Sequence, residues 1–224
     1  MRAASGVADR FLDLVDRRVA PALETLGFER TRTGLVWDGG DLQWLAEIEL
    51  APWTAPDRIC FTLAWGVAVP GLAEVLGDRT DPPARAATSL VSGRLGERAP
   101  GVEVTWFTVG RLVPVPGMDR VVDARTGATV AAYINAELLP ALQPFDSVAA
   151  VQAHLVDGLV RGRGSASESE LRLIRWIAGL SLLLDERDNA ARWLDYLEAR
   201  SASSMAPHVV AERLAPLREQ CLAS

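Results

Sequence analysis

The sequence has few of the residue types on which metal and catalytic sites depend. It contains two cysteines, Cys60 and Cys221, and two histidines, His154 and His208, and none stands at metal-binding spacing from another ligand. Zinc sites need three or four protein ligands, and an activated nucleophile needs a base beside it. The sequence therefore predicts no metal, no cofactor and no catalytic residue.

Basic residues are also fewer than acidic ones. The chain has no lysine, its 23 basic residues stand against 29 acidic ones, and the net charge is −6. A protein that binds nucleic acid needs a positive field to displace counterions from phosphate, so we expect no nucleic-acid partner. The absence of lysine, together with abundant Ala, Gly and Val, indicates the coding bias of a high-GC bacterium.

Long apolar runs are missing as well. No stretch approaches the roughly 20 apolar residues of a membrane-spanning helix, and the opening MRAASGVADRF lacks the apolar segment of a signal peptide. We therefore expect no membrane association, a cytoplasmic location and reduced thiols.

What the chain does have is enough apolar sequence for a sizeable core. Its 224 residues are 49% hydrophobic and 23% charged, which is typical of a folded globular protein. The run RGRGSAS at 161–167 is the clearest linker. We predict an α+β core domain over 1–160 and a C-terminal helical appendage over 168–224, packed on the core.

Alternation of apolar and polar residues predicts about four antiparallel strands. The segments 34–38 and 41–50 flank Gly39 and Gly40 as a tight hairpin, and the segments 58–69 and 102–109 follow. In the third strand the bulky residues form a heavy face, namely Ile59, Phe61, Leu63, Trp65, Val67 and Val69. The small residues form a light face, namely Cys60, Thr62, Ala64, Gly66 and Ala68.

Helical spacing of apolar residues predicts helices around this sheet. The first covers residues 5–26, with a kink at Pro21 and an ending at Gly27. Further helices are predicted over 82–95 and 119–142 and after Asp146. The appendage is predicted as three antiparallel helices, over 171–184, 189–200 and 205–222.

Several of these segments resemble a known family. They are a helix ending in Leu26-Gly27-Phe28, a hairpin carrying Trp37, the strands LQWLAEIEL and ICFTLAWGVAVPGL, and the later ELLPALQPFDSVAAVQAHL. This order is similar to domain of unknown function 4304, a bacterial family. The resemblance implies a shared fold over roughly the first two-thirds of the chain. It implies no activity and supplies no site residues.

Five residues are candidates for binding. Trp53 lies in a loop between Pro52 and Pro56, where an indole is either a recognition anchor or a cap on the core. Glu47 and Glu49 share one face of their strand, where they either act as an acid–base pair or form ion pairs with arginines of the sheet. Thr62 and Ala64 belong to the light face, which leaves room for a ligand or for a packed element.

These candidates support three hypotheses of function. The first is a non-catalytic protein-interaction module. Its narrower form is an immunity or inhibitor protein whose acidic surface blocks a basic partner. The second is a binder of a small molecule or peptide on the light face. The third is a metal-independent enzyme that uses Glu47 or Glu49. The sequence favours them in that order and leaves the oligomeric state open.

Overall fold

The computed structural model describes residues 6–32, 34–78, 85–86, 89–97, 104–110, 118–161, 168–201 and 207–222. The chain divides into two compact units, one of Met1–Ala68 and Pro83–Pro144 and one of Val69–Pro82 and Phe145–Ser224. The helix near residue 150 was predicted as part of the core domain over 1–160. In the structure this helix belongs to the second unit, because it packs against the helix that follows it.

The first unit begins with one long helical segment. It consists of α1 (Val7–Leu14), a π-turn (Val15–Val19) and α2 (Ala20–Thr25). The helix ends as predicted: Gly27 has a φ of +87°, its amide donates to the Glu24 carbonyl, and the Phe28 amide donates to the Leu23 carbonyl. This is the Schellman pattern, in which a left-handed residue satisfies the last carbonyls.

The α+β class is confirmed, with more strands than predicted. The six described strands are β1 (Glu29–Arg30), β2 (Leu35–Asp38), β3 (Gln43–Leu50), β4 (Arg58–Ala68), β5 (Val91–Arg94) and β6 (Phe107–Gly110). The first five pair antiparallel in chain order, and β6 also pairs with β4. Because β3 occupies one edge of β4, β5 and β6 share its other edge, along Ala64–Val67 and Arg58–Phe61 respectively.

The hairpin between β2 and β3 has a longer loop than predicted. The strands pair up to Asp38 and Gln43, and the Gly39 amide donates to the Leu42 carbonyl. Of the two glycines, only Gly40 has a positive φ, of +85°. Gly39 has a steric role instead, because a Cβ there would lie 2.6 Å from the Trp37 ring.

The heavy face of β4 lies against helices, as the alternation predicts. Phe11 of α1 packs edge-on against Phe61, with ring centroids 5.2 Å apart. Phe107, the cross-strand partner of Phe61, packs against Tyr133 of α4 (Met118–Tyr133). Burial of these aromatic rings contributes apolar stabilisation to this side of the unit.

The predicted helix over 82–95 is wrong in its described part. Residues Val91–Arg94 form strand β5, whose Gly93 faces Trp65 so closely that a Cβ would lie 2.6 Å from the indole ring. An unpaired edge of β4 favours a paired strand there over a short isolated helix. The predicted strand over 102–109 is shifted: pairing begins at Phe107, and residues 101–103 lie outside the described part.

The predicted helix over 119–142 is present with a second π-turn. It comprises α4, the π-turn Ile134–Leu138 and α5 (Leu139–Leu142). Pro140 stands two residues after this π-turn, as Pro21 stands two residues after the first. Proline lacks an amide donor and crowds the carbonyl four residues earlier, and a widened turn relieves both effects.

The second unit is helical. Its described helices are α3 (Leu72–Val75), α6 (Val148–Arg161), α7 (Glu168–Leu183), α8 (Arg187–Ser201) and α9 (Pro207–Leu222). Gly179 of α7 lets α3 approach, since a Cβ there would lie 2.7 Å from Leu72 and 2.8 Å from Leu76. The last three helices match the predicted appendage; the linker at 162–167 lies outside the described residues.

Candidate functional site

Four of the five candidate residues lie on one face of the sheet. Glu47 is the cross-strand partner of Ala64, and Glu49 is the partner of Thr62. Cross-strand partners project to the same side of an antiparallel sheet, with Cβ atoms about 5 Å apart. The two glutamates therefore border the light face of β4, which is opposite the face that α1 covers.

An ion pair spans the light face. Arg94 of β5 is the partner of Ala64 on the edge of β4 opposite β3, yet its Nε donates to Glu49 Oε2 at 2.8 Å and its Nη2 to Oε1 at 3.0 Å. The guanidinium thus crosses β4 over Thr62 and Ala64, whose small side chains leave room for it. These hydrogen bonds raise the pKa of Arg94 above its usual value, so the group stays charged.

Glu47 is held by a different segment. Its Oε1 accepts a hydrogen bond from the Ala86 amide at 3.2 Å, and Arg85 Nε lies 3.9 Å from the same oxygen. The carboxylate thereby anchors residues 85–86 to the sheet. Both glutamates thus have arginine neighbours, which is the ion-pair arrangement that the sequence analysis weighed against an acid–base pair.

The chain itself covers much of the light face. Ala86 packs with Ala64 and Leu45 in one buried cluster. A Cβ on Gly66 would lie 2.5 Å from Ser89 Oγ and 2.8 Å from the Ala86 carbonyl oxygen. The part of the face around Ala64 and Gly66 is therefore filled by Ala86 and Ser89, and the Arg94–Glu49 bridge lies near Thr62.

Thr62 is the unusual residue of this stretch. Its side chain has no exposed surface, and its hydroxyl makes no hydrogen bond within the described part of the chain. Most buried hydroxyls in proteins do find a partner. Its cross-strand neighbour Glu49 is only partly buried, at 36% side-chain exposure, and gives both oxygens to Arg94.

Trp53 lies at the end of the same sheet, in the loop between β3 and β4. Its ring packs edge-on against Trp106, with centroids 5.0 Å apart, and the residue remains 54% exposed. The loop is ordered by the Thr54 hydroxyl, which donates to the Cys60 carbonyl and accepts from the Cys60 amide. Leu50, at the end of β3, is 52% exposed.

Trp106 connects this loop with the light face. It stands two residues before Thr108, whose hydroxyl lies 3.6 Å from Cys60 Sγ. The pairing between β4 and β6 ends at Phe61 and Phe107, and Thr62 and Trp106 directly adjoin this last pair along the chain. The aromatic pair and the Glu49–Arg94 bridge thus flank the same short stretch of β4.

Sequence reasoning found the candidates on β3 and β4 but missed two neighbours. Arg94 was hidden by the predicted helix over 82–95, and Trp106, which is only partly buried, was not among the candidates. The strand-like residues Leu90 and Val91 before Gly93 could have indicated that Arg94 lies in a strand.

Metal chemistry has no support from the described side chains. No three His, Cys, Asp or Glu residues in that part of the chain are placed to hold a metal ion. His154 instead packs edge-on against Phe145, with centroids 4.9 Å apart. Cys60 is buried, and both cysteines are free thiols.

Comparison with known proteins adds no relative. No family model matches the chain, and neither a curated protein nor a solved structure is similar to it. Within the described ranges, no helix combines the length and the apolar character that crossing a membrane requires.

Proposed function

We propose that this chain is a non-catalytic protein-interaction module in which Trp53 is the anchor. The observation that carries the proposal is the state of the Trp53 ring: it is more than half exposed and is held in place by Trp106. Tryptophan is enriched at binding hot spots, and a ring that is ordered before binding loses little conformational entropy on binding.

The partner we propose is a basic cytoplasmic protein with an apolar pocket for the indole. The net charge of −6 supports a basic partner, because complementary charge speeds association, and it disfavours nucleic acid. An inhibitor or immunity protein is the narrower form of this proposal. The resemblance to domain of unknown function 4304 stays a prediction and adds no activity.

The two alternatives have less support. A ligand site along the whole light face conflicts with the filling of that face around Gly66 by Ala86 and Ser89. An enzyme using Glu47 or Glu49 would need one carboxylate free to exchange protons with a substrate. Instead, Glu49 is bound bidentately by Arg94, and Glu47 is bound by the Ala86 amide.

Site-specific photo-crosslinking tests the anchor. A photoreactive phenylalanine placed at position 53 is expected to capture one defined protein in the native host. Tyr196 of α8 gives a matched control, because it is also aromatic and exposed, at 42%, but lies in the other unit. The same photoreactive residue at position 196 is expected not to capture that protein.

Two results would overturn the proposal. One is capture of the same proteins at positions 53 and 196, which would show that position 53 has no specific partner. The other is the absence of any adduct at position 53 in host cells, combined with a purified chain that stays monomeric at high concentration. Capture of a second copy of this chain would replace the basic partner by self-association.

A further inference from the structure

We propose that Arg94 and Thr62 form a binding site for a small organic carboxylate, and that Glu49 occupies this site while no ligand is bound. The proposal goes beyond the interaction function, since it concerns the light face and not the Trp53 loop. It rests on the buried hydroxyl of Thr62 and on the bridge that covers it.

The Thr62 hydroxyl is a hydrogen-bond donor that the described part of the chain does not use. A buried hydroxyl without a partner destabilises the folded state, and each such group in a native protein requires an explanation. Thr62 is entirely buried, and no described group accepts or donates at its oxygen. A carboxylate oxygen at this position would accept the hydroxyl hydrogen and remove the cost.

Arg94 supplies the positive charge that would hold such a ligand. Arg94 crosses β4 above Thr62 and Ala64, so its guanidinium and the Thr62 hydroxyl are donors on one small area. A guanidinium binds a carboxylate through two parallel hydrogen bonds, and Glu49 already shows this geometry. The chain itself therefore demonstrates which chemical group this area recognises.

A ligand carboxylate can readily replace Glu49 on Arg94. The side chains of Glu49 and Arg94 are 36% and 37% exposed. Ion pairs with this exposure contribute little to stability. Glu49 can therefore turn toward solvent at little cost, and an incoming acid that also satisfies Thr62 gains a hydrogen bond that Glu49 does not make.

The experiment is an NMR titration of the purified full chain with sodium acetate and sodium propionate. The reporters are the Thr62 methyl group and the Arg94 Nε–H, and sodium chloride at equal ionic strength is the reference. We expect saturable shifts at both reporters with acetate or propionate and none with chloride. A chloride titration that gives the same shifts would overturn the proposal.

Three variants separate the parts of the site. Glu49→Gln removes the internal competitor, so acetate affinity is expected to rise about tenfold. Thr62→Val keeps the shape of the side chain but removes the hydroxyl, so it is expected to fold and to bind acetate several-fold more weakly. Glu47→Gln is the matched control, because Glu47 does not contact Arg94 in the described contacts, and its affinity is expected to equal that of the wild type.

The outcomes are distinct from those of the Trp53 test, which needs a partner protein and leaves the light face unchanged. If Thr62→Val binds acetate as the wild type does, the Thr62 hydroxyl takes no part in binding and the proposed site is wrong. If Glu49→Gln shows no gain in affinity, Glu49 is not a competitor for Arg94 and the proposal is also wrong.

Discussion

Gly66 lies where the light face meets the segment that covers it. A Cβ at this position would lie 2.5 Å from Ser89 Oγ and 2.8 Å from the Ala86 carbonyl oxygen. We expect Gly66→Ala to lower the free energy of unfolding by about 1–3 kcal/mol, since overpacking forces the backbone to shift. Urea denaturation followed by tryptophan fluorescence measures this change.

The control for that substitution is Gly158→Ala in α6. No atom lies within 4 Å of a Cβ at Gly158, and alanine has the higher helix propensity by about 1 kcal/mol. This variant is expected to be as stable as the wild type or more so. Equal losses at both positions would show that Ala86 and Ser89 do not cover Gly66.

The two thiols give a second prediction at the residue scale. Burial raises the pKa of the Cys221 thiol, although the nearby charge of Arg218 acts in the opposite direction. Less thiolate is therefore present at a given pH, and the thiolate is the reactive form. We expect iodoacetamide to modify Cys221 more slowly than glutathione at pH 8, and Cys60, which is buried, only after unfolding. Mass spectrometry of tryptic peptides reports both rates.

The candidate residues could be found from sequence because a strand has a period of two. Glu47, Glu49, Thr62 and Ala64 follow that period, so their shared face was predictable. The Arg94–Glu49 bridge was not predictable, because it depends on which strand occupies the far edge of β4. No local pattern encodes that pairing across 45 positions of sequence.

At the scale of elements, the long helical segments were predicted well and their π-turns were not. Pro21 predicted a kink in the first helix, and both this helix and the helix that contains Pro140 continue through the proline. Whether a proline kinks a helix or widens its preceding turn depends on packing around the freed carbonyl, which the sequence pattern does not specify. Short elements such as β5 were missed because edge pairing decides them.

The helical unit contains a buried polar network that joins three helices. Ser181 Oγ of α7 donates to the Ile177 carbonyl at 3.0 Å and accepts from Gln152 Nε2 of α6 at 2.7 Å. Asn189 Nδ2 of α8 reaches the same oxygen at 3.4 Å. Because the buried Ser181 hydroxyl and the Gln152 amide nitrogen are both paired, the network can fix how the helices pack.

Ser181→Ala tests this network. The substitution removes the best acceptor of Gln152 and leaves a buried amide poorly paired, so we expect a loss of about 1–3 kcal/mol in the free energy of unfolding. Gln152→Leu with Ser181→Ala is expected to lose less than the sum of the single variants. Strict additivity in chemical denaturation would contradict a coupled network.

At the scale of the whole molecule, charge gives the most general prediction. With a net charge of −6, association with a basic partner is expected to slow by about tenfold or more between 50 and 500 mM salt, while dissociation changes little. Surface plasmon resonance at several salt concentrations measures both rates. An association rate that is independent of salt would exclude electrostatic steering and with it the argument for a basic partner.

The class of the fold was predictable at this scale, and the organisation of the chain was less so. The α+β class followed from alternating strands in the first half and helical periods in the second. The excursion of Val69–Pro82 into the second unit has no signal in composition, because α3 joins that unit through Leu72 and Leu76 against Gly179. Such contacts depend on tertiary packing.

The binding affinity of the Trp53→Ala variant tests the interaction proposal most directly. With the partner purified, calorimetric titration is expected to show at least a tenfold higher Kd for Trp53→Ala than for the wild type, since truncating a hot-spot tryptophan costs about 2 kcal/mol or more. Tyr196→Ala is expected to bind as the wild type does. A Kd for Trp53→Ala within twofold of the wild-type value would contradict the role of Trp53 as the anchor.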